Sequence, residues 1–128
     1  MAEERELIWI GTSLEDLRRF PEEVKDVMGY ALYLAQRAEK HTDAKPLRGF
    51  GGAGVLEMVE RHHTDAFRAV YTTRLATAVF VLHAFQKKAK QGVATPQRDL
   101  AVIRRRLAEA EGIDAERTQR KGEHTGDD

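Results

Sequence analysis

The run Ala78-Val-Phe-Val-Leu-His-Ala-Phe-Gln-Lys-Lys88 holds one histidine inside an apolar, strand-like stretch and ends on a pair of lysines. Strand interiors seldom take an ionisable ring and clustered cations unless something polar must be met there. Upstream, Ala66-Phe-Arg-Ala-Val-Tyr71 adds a guanidinium and a phenol. A phosphodiester suits this set, and RNA suits it best, because RNA carries its own nucleophile in the 2′-hydroxyl. Cleavage then needs a proton acceptor, a proton donor and positive charge for the phosphate. Arg68 and one of Lys87 and Lys88 are the expected charge stabilisers. His83 is the expected proton-transfer group, since an imidazole with an ordinary pKa of about 6.5 supplies both forms near neutrality. Cations beside it favour the neutral ring, which acts as a base. Lys87 can take that role if it is desolvated.

Strand alternation puts Phe85 and Lys87 on the same side as His83. Arg68 shares its parity with Val70, Thr72 and Arg74, and Tyr71 takes the other, where a core role is the plain alternative. Further RNA contacts are expected from Arg61, Tyr71, Phe85, Lys90 and the run Arg104-Arg-Arg106.

Other motifs carry less. Gly49-Phe-Gly-Gly-Ala-Gly54 fits the letters of a dinucleotide fingerprint, but that site needs a strand before the glycines and a helix after them. Here the pattern reads helix before and strand after, so the segment is a pliable connector. His62 and His63 are neighbours that would point to opposite faces, and no ligand set completes around them. His41 and His124 lie in polar segments with no supporting pattern. No metal and no cofactor is expected.

The bulk composition bounds the reading. At 128 residues, with 33% charged and 41% hydrophobic residues, the chain is sized for one core. It has no cysteine, which removes disulfide staples and thiolate chemistry. The first residues are acidic where a signal peptide is basic and then apolar, and no run approaches a membrane span, so a cytoplasmic address without membrane contact is expected. A formal charge of zero hides segregation: residues 61–106 hold ten basic and two acidic residues, while the flanking segments are net acidic. Such a field attracts polyanions locally.

Leu7 to Ile10 reads as a short strand ended by Gly11. Thr12 and Ser13 then stand in capping-box spacing to Glu15 and Asp16, opening a short helix through Leu14, Leu17 and Phe20. Val24, Val27, Met28, Ala31, Leu34, Ala35 and Ala38 predict a second helix from Glu22 to about Lys40. Three β-type runs follow, Val55 to Arg61, Phe67 to Arg74 and Thr77 to Phe85, the last apolar on both parities and therefore central. Thr95-Pro96 opens a helix whose stripe is Leu100, Ile103, Leu107 and Ala110. The expected architecture is α/β (α+β): an antiparallel sheet of about four strands, an N-terminal helical hairpin and a C-terminal helix. One domain spans residues 1–111, and 112–128 forms a polar, mobile tail.

The aromatic-arginine run at Phe67 to Tyr71, the strand ending Leu82-His-Ala-Phe-Gln-Lys-Lys88, and Ala94-Thr-Pro96 leading into a helix resemble the RelE/HigB-like toxins of type II toxin-antitoxin systems, within the RelE/ParE superfamily and its phage-derived branch. The resemblance spans about residues 7 to 110. It implies ribosome-dependent cleavage of messenger RNA, no cofactor, and a cognate antitoxin, often a helix-turn-helix protein. Carried over position by position, it assigns Arg68, His83, Lys87 and Lys88. One departure stands out: many relatives place an arginine just after the glutamate of the second strand, whereas Met58 and Val59 follow Glu57 and the nearest arginine is Arg61. The alternative is a protein-binding member of the superfamily without catalysis, either ParE-like and directed at gyrase or a degenerate phage-derived protein.

Overall fold

The computed structural model describes residues 4–50, 52, 54–88 and 95–126. In chain order the elements are β1 (Glu6–Trp9), α1 (Ser13–Arg18), α2 (Glu22–Gln36), β2 (Lys45–Pro46), β3 (Val55–His62), β4 (Asp65–Thr72), β5 (Ala78–Lys88) and α3 (Gln97–Gly126). The strands form one sheet in the order β1-β5-β4-β3-β2. The mixed α+β class expected from the sequence is present, but the sheet has five strands rather than four and is not purely antiparallel. β1 pairs with β5 in parallel, Glu6 opposite Ala78 and Trp9 opposite Val81. The helices after β1 carry the chain away from its edge, so the strand that returns beside it is the last of the meander. The fifth strand, β2, is two residues long and contains a proline, too short to show any periodicity.

Helices cover both faces. Val24, Met28, Ala31, Leu32 and Ala35 of α2 pack with Leu17 and Phe20 on Met58, Phe67, Ala69, Tyr71, Val79, Val81 and Ala84. On the other side Ile103 and Ala110 of α3 pack with Leu47 and Phe50 on Val55, Val70, Ala78, Phe80 and Leu82. β5 is apolar on both parities because it lies between these two layers.

The helix ends differ from the sequence reading in physically specific ways. Thr12 and Ser13 do not cap α1 through their side chains. The Thr12 hydroxyl instead donates to Asp16 Oδ2 at 2.8 Å, and Ser13 Oγ donates to the Val81 carbonyl at 3.2 Å, tying α1 to β5. α2 ends at Gln36, short of Lys40, in a Schellman arrangement. The Ala38 N–H donates to the Ala35 carbonyl, the Glu39 N–H donates to the Leu34 carbonyl, and Ala38 sits at φ 62°.

α3 runs through Gly112, where the last helix was expected to stop, as far as Gly126. The glycine costs only about 1 kcal/mol in a helix, and a tertiary contact holds the part beyond it. Asp114 is buried and accepts from the Ala76 and Thr77 N–H groups at 2.9 and 2.7 Å and from the Thr77 hydroxyl at 2.5 Å. The expected mobile tail is thus helical over most of its length. Gly49, Gly52 and Gly54 all have positive φ in the link between β2 and β3, and no helix follows them, so the dinucleotide reading is excluded by topology. Among the described residues no helix is long and apolar enough to cross a membrane.

Two tests follow from these helix ends. Ala38→Gly relieves a left-handed residue bearing a Cβ and should stabilise the protein by about 1 kcal/mol in urea unfolding; no gain would mean that the turn is not left-handed in solution. Burial pushes the Asp114 carboxyl up, but the bonds from Thr77 and Ala76, with the charge of Arg5, outweigh it and hold the carboxyl below its usual range. A depressed carboxyl contributes stability that is complete above its unfolded pKa of about 3.9 and is lost as pH falls through the folded value. Asp114→Asn should therefore lower the melting temperature at pH 7 and match the parent protein at the acid end; parallel curves at all pH values would contradict the ionic contact.

Candidate nucleic-acid interface

The site is assembled by one extra residue in β5. Val70 lies opposite His83 while Tyr71 lies opposite Val81, so Leu82 is bulged out of the ladder. Before the bulge Ala78, Phe80 and Leu82 face α3. After it the phase shifts by one, and His83, Phe85 and Lys87 turn to that same face. The register then sets three rows across β3, β4 and β5. They are Glu57, Val70 and His83; Val59, Arg68 and Phe85; and Arg61, Ala66 and Lys87. Arg61 and Lys87 are two strand spacings apart, about 10 Å between backbones, with only the methyl of Ala66 between them.

Two of the expected catalytic residues are buried in polar networks. Arg68 is 4% exposed, and its Nη1 donates to Glu57 Oε2 at 2.9 Å. Thr95 donates its hydroxyl to the same oxygen at 2.9 Å. His83 is 8% exposed, with Nε2 2.8 Å from Asp99 Oδ1 and Nδ1 3.4 Å from Arg106 Nη1. Arginine can only donate, so Nδ1 is the acceptor and the ring proton is assigned to Nε2, donated to Asp99. Both ring nitrogens are thereby used, which leaves no free imidazole for a base. Arg106 Nη1 also donates to the carbonyl of the bulged residue Leu82 at 3.0 Å.

The other expected contacts divide. Arg61 is exposed, and Phe85 and Lys87 are half-buried, on the α3 side of the sheet. Phe85 stacks on His83, with ring centroids 4.8 Å apart and planes at 22°. Lys88 pairs with Asp65 in the strand register, and Lys90 lies outside the described residues. Tyr71 is corrected from an RNA contact to a core residue. It packs on the α2 side at 1% exposure, and burial pushes its phenol up to about 12. The three consecutive arginines diverge around the helix: Arg104 lies over the Phe50 ring at 5.2 Å, Arg105 is exposed, and Arg106 turns inward. Residues 104–106 are therefore not one basic strip. No group of three or more metal-ligating side chains occurs among the described residues.

Sequence reasoning missed Glu57, Thr95 and Asp99 as partners. Asp99 lies in the first turn of α3, and nothing in its separation from His83 marks the pair. Glu57 was marked by the resemblance only as the glutamate of the second strand, not as the partner of Arg68. Together the side chains offer a carboxylate beside a guanidinium, an aromatic face, and two outer cations on one surface, the equipment for holding a phosphodiester and its base.

Residues 15–108, most of the chain, match the family described as Phage derived protein Gp49-like (DUF891). The chain belongs to this Gp49-like family. It is a RelE/ParE-like toxin family of phage derivation, which agrees with the coarser part of the resemblance in the sequence. No curated protein and no solved structure matches the chain. The matched span runs from α1 into α3 and contains Glu57, Arg68, His83, Phe85, Lys87, Asp99 and Arg106 of this Gp49-like protein.

The buried pair can be tested directly. Arg68→Ala leaves the Glu57 carboxylate without its guanidinium and should cost about 3–5 kcal/mol. Pairing Arg68→Met with Glu57→Gln should cost clearly less, giving a strong coupling in a double-mutant cycle followed by urea unfolding. Additive losses would show that the two groups do not act as a pair.

Proposed function

We propose that this Gp49-like protein is the toxin of a toxin-antitoxin pair and that it cuts messenger RNA on the ribosome without a metal. The observation that carries this reading is the convergence of Arg61, Lys87 and Phe85 on one sheet face around the Glu57–Arg68 pair. The cations bind the RNA backbone, and Phe85 receives a base. Glu57 replaces His83 as the proton acceptor. It takes the 2′-hydroxyl proton, the 2′-oxygen attacks phosphorus, and the bond from phosphorus to the 5′-oxygen breaks. Lys87 gives a proton to the leaving 5′-oxygen, and Arg68, released in part from Glu57 as that carboxylate is protonated, stabilises the phosphorane charge. The products are a 2′,3′-cyclic phosphate and a 5′-hydroxyl. His83 acts by position, holding the amino end of α3 against the sheet through Asp99. Arg104 and Arg105 supply further contact with ribosomal RNA, and a cognate antitoxin of helix-turn-helix type restrains the toxin.

The engagement of both His83 nitrogens, with Arg68 neutralised by Glu57, favours a second reading in which the same fold binds a protein target and cuts nothing. Induced expression separates the two. The nuclease reading expects translation to stop before DNA synthesis, with ribosome-bound transcripts ending in 2′,3′-cyclic phosphates. Glu57→Gln should lower cutting by roughly 10²-fold or more. Lys87→Ala and Arg61→Ala should each relieve growth arrest in proteins that melt as the parent does. Arrest of DNA synthesis first, with intact transcripts, would replace the nuclease by the protein-directed reading.

A further inference from the structure

α2 buries Val24, Met28, Ala31, Leu32 and Ala35 against the sheet, and its opposite face carries a second ordered stripe. Asp26, Tyr30, Tyr33 and Arg37 follow one another at steps of four, three and four residues, and all four are exposed. These are the steps of a coiled-coil seam, and they set the side chains in one line away from the buried face. Tyr30 at 55% and Tyr33 at 43% are the exposed large hydrophobic side chains among the described residues. Their rings stack at 6.5 Å, Arg37 lies over Tyr33 at 5.7 Å, and the His41 ring meets Tyr30 edge-on at 5.8 Å. These contacts order the patch without covering it. We propose that this face of α2 is the contact surface of a symmetric dimer, in which α2 of a second copy packs against it antiparallel. The proposal goes beyond the RNA reading and does not rest on it.

The order of the charges selects a second copy. Read from either end the steps along the stripe are four, three and four, but the charge inverts: acid, ring, ring, base in one direction and base, ring, ring, acid in the other. A two-fold axis between Tyr30 and Tyr33 therefore sets Asp26 of each copy beside Arg37 of the other, and Tyr30 of each beside Tyr33 of the other. In an isologous interface residue i meets j while j meets i, so the surface has to complement itself in this way. A parallel pair would set acid beside acid and base beside base. The asymmetry continues outward, with Glu22 and Glu23 before Asp26 and Lys40 in the turn after Arg37.

The contacts within the chain are weak enough to be exchanged. Arg37 meets Glu39 at 3.3 Å with the two side chains 43% and 57% exposed, and a surface pair of this kind contributes little. Gly29, on the flank of the stripe, is a second observation. Glycine weakens a helix interior, yet a Cβ there would meet nothing within 4 Å, so no neighbour among the described residues requires its small size. A second helix packed with its axis about 8–10 Å away gains room from it. Because α2 and the cationic face lie on opposite sides of the sheet, the seam would leave Arg61, Phe85 and Lys87 of both copies outside it.

The test is sedimentation equilibrium of the full chain at low salt. A single helix pair is smaller than a standard interface, so the apparent mass should rise toward twice that of the monomer between about 10 µM and about 1 mM. Asp26→Lys or Arg37→Glu alone sets like charges together at both ends of the seam and should weaken association about tenfold or more. An equimolar mixture of the two variants restores every opposite pair and should associate as the parent does, as should the double variant. Tyr30→Ser, which changes no charge at an exposed site, should weaken association as well and decides the matter if either reversal fails to fold. A parent that stays monomeric across the range would overturn the proposal and leave the stripe to a helix of another protein. A dimer indifferent to the reversals and to Tyr30→Ser, or one that the mixture of folded variants does not restore, would overturn it too. No RNA enters the measurement, so its failure leaves the nuclease reading standing.

Discussion

The bulge at Leu82 is the constraint on which the rest of the molecule depends. A β-strand has a side-chain period of two, so a strand covered on both sides has no parity left over for a functional face. By inserting one residue, β5 keeps Ala78, Phe80 and Leu82 under α3 and then turns His83, Phe85 and Lys87 to that same side. A bulge disrupts the ladder locally, and here Arg106 reaches the bulged residue by donating to the Leu82 carbonyl. The same guanidinium crowds Gly11: a Cβ there would stand 2.7 Å from Arg106 Nε, and Gly11 sits at φ 57°. Glycine suits that turn by its backbone angle, and a Cβ there would require the Arg106 guanidinium to shift.

From this clamp the polar architecture follows in two layers. The inner layer consists of charges that satisfy one another, Glu57 with Arg68 and Thr95, and Asp99 with His83. Buried pairs of this type add little net stability, because desolvation offsets most of their attraction, but they fix geometry and are costly to break one partner at a time. The outer layer consists of cations with an exposed or half-buried reach, Arg61 and Lys87 above all. A chain of zero formal charge can present a cationic surface in this way, since its acidic residues on this face are spent internally or lie elsewhere.

The placement of α3 joins these layers. Its first turn is bonded to the sheet through Asp99 and His83, its middle through Arg106, and its later part through Asp114 to the turn before β5. One helix thus spans the face that would otherwise be a second exposed sheet surface. At the end of that face Arg61 is exposed and Phe85 and Lys87 are half-buried.

Much of this molecule was legible in its residues because local rules govern it. Alternating and continuous apolar runs marked β1, β3, β4 and β5, helical spacing marked α2, and Thr95-Pro96 marked the start of α3. The cationic content of the middle segment needed no coordinates either, and neither did the sharing of one face by His83, Phe85 and Lys87. Long-range geometry determined what remained. β2 is too short for a pattern, the parallel pairing of β1 depends on where the helices return the chain, and the continuation of α3 past Gly112 depends on a carboxylate meeting a distant turn. The state of the site residues was of the same kind. Whether Arg68 and His83 meet solvent or a carboxylate depends on Glu57 and Asp99, brought to them across strands and from a helix. Side-chain type specifies what a group can do, but its burial and its partners, which decide whether it is free to act, arise only when separate segments pack together.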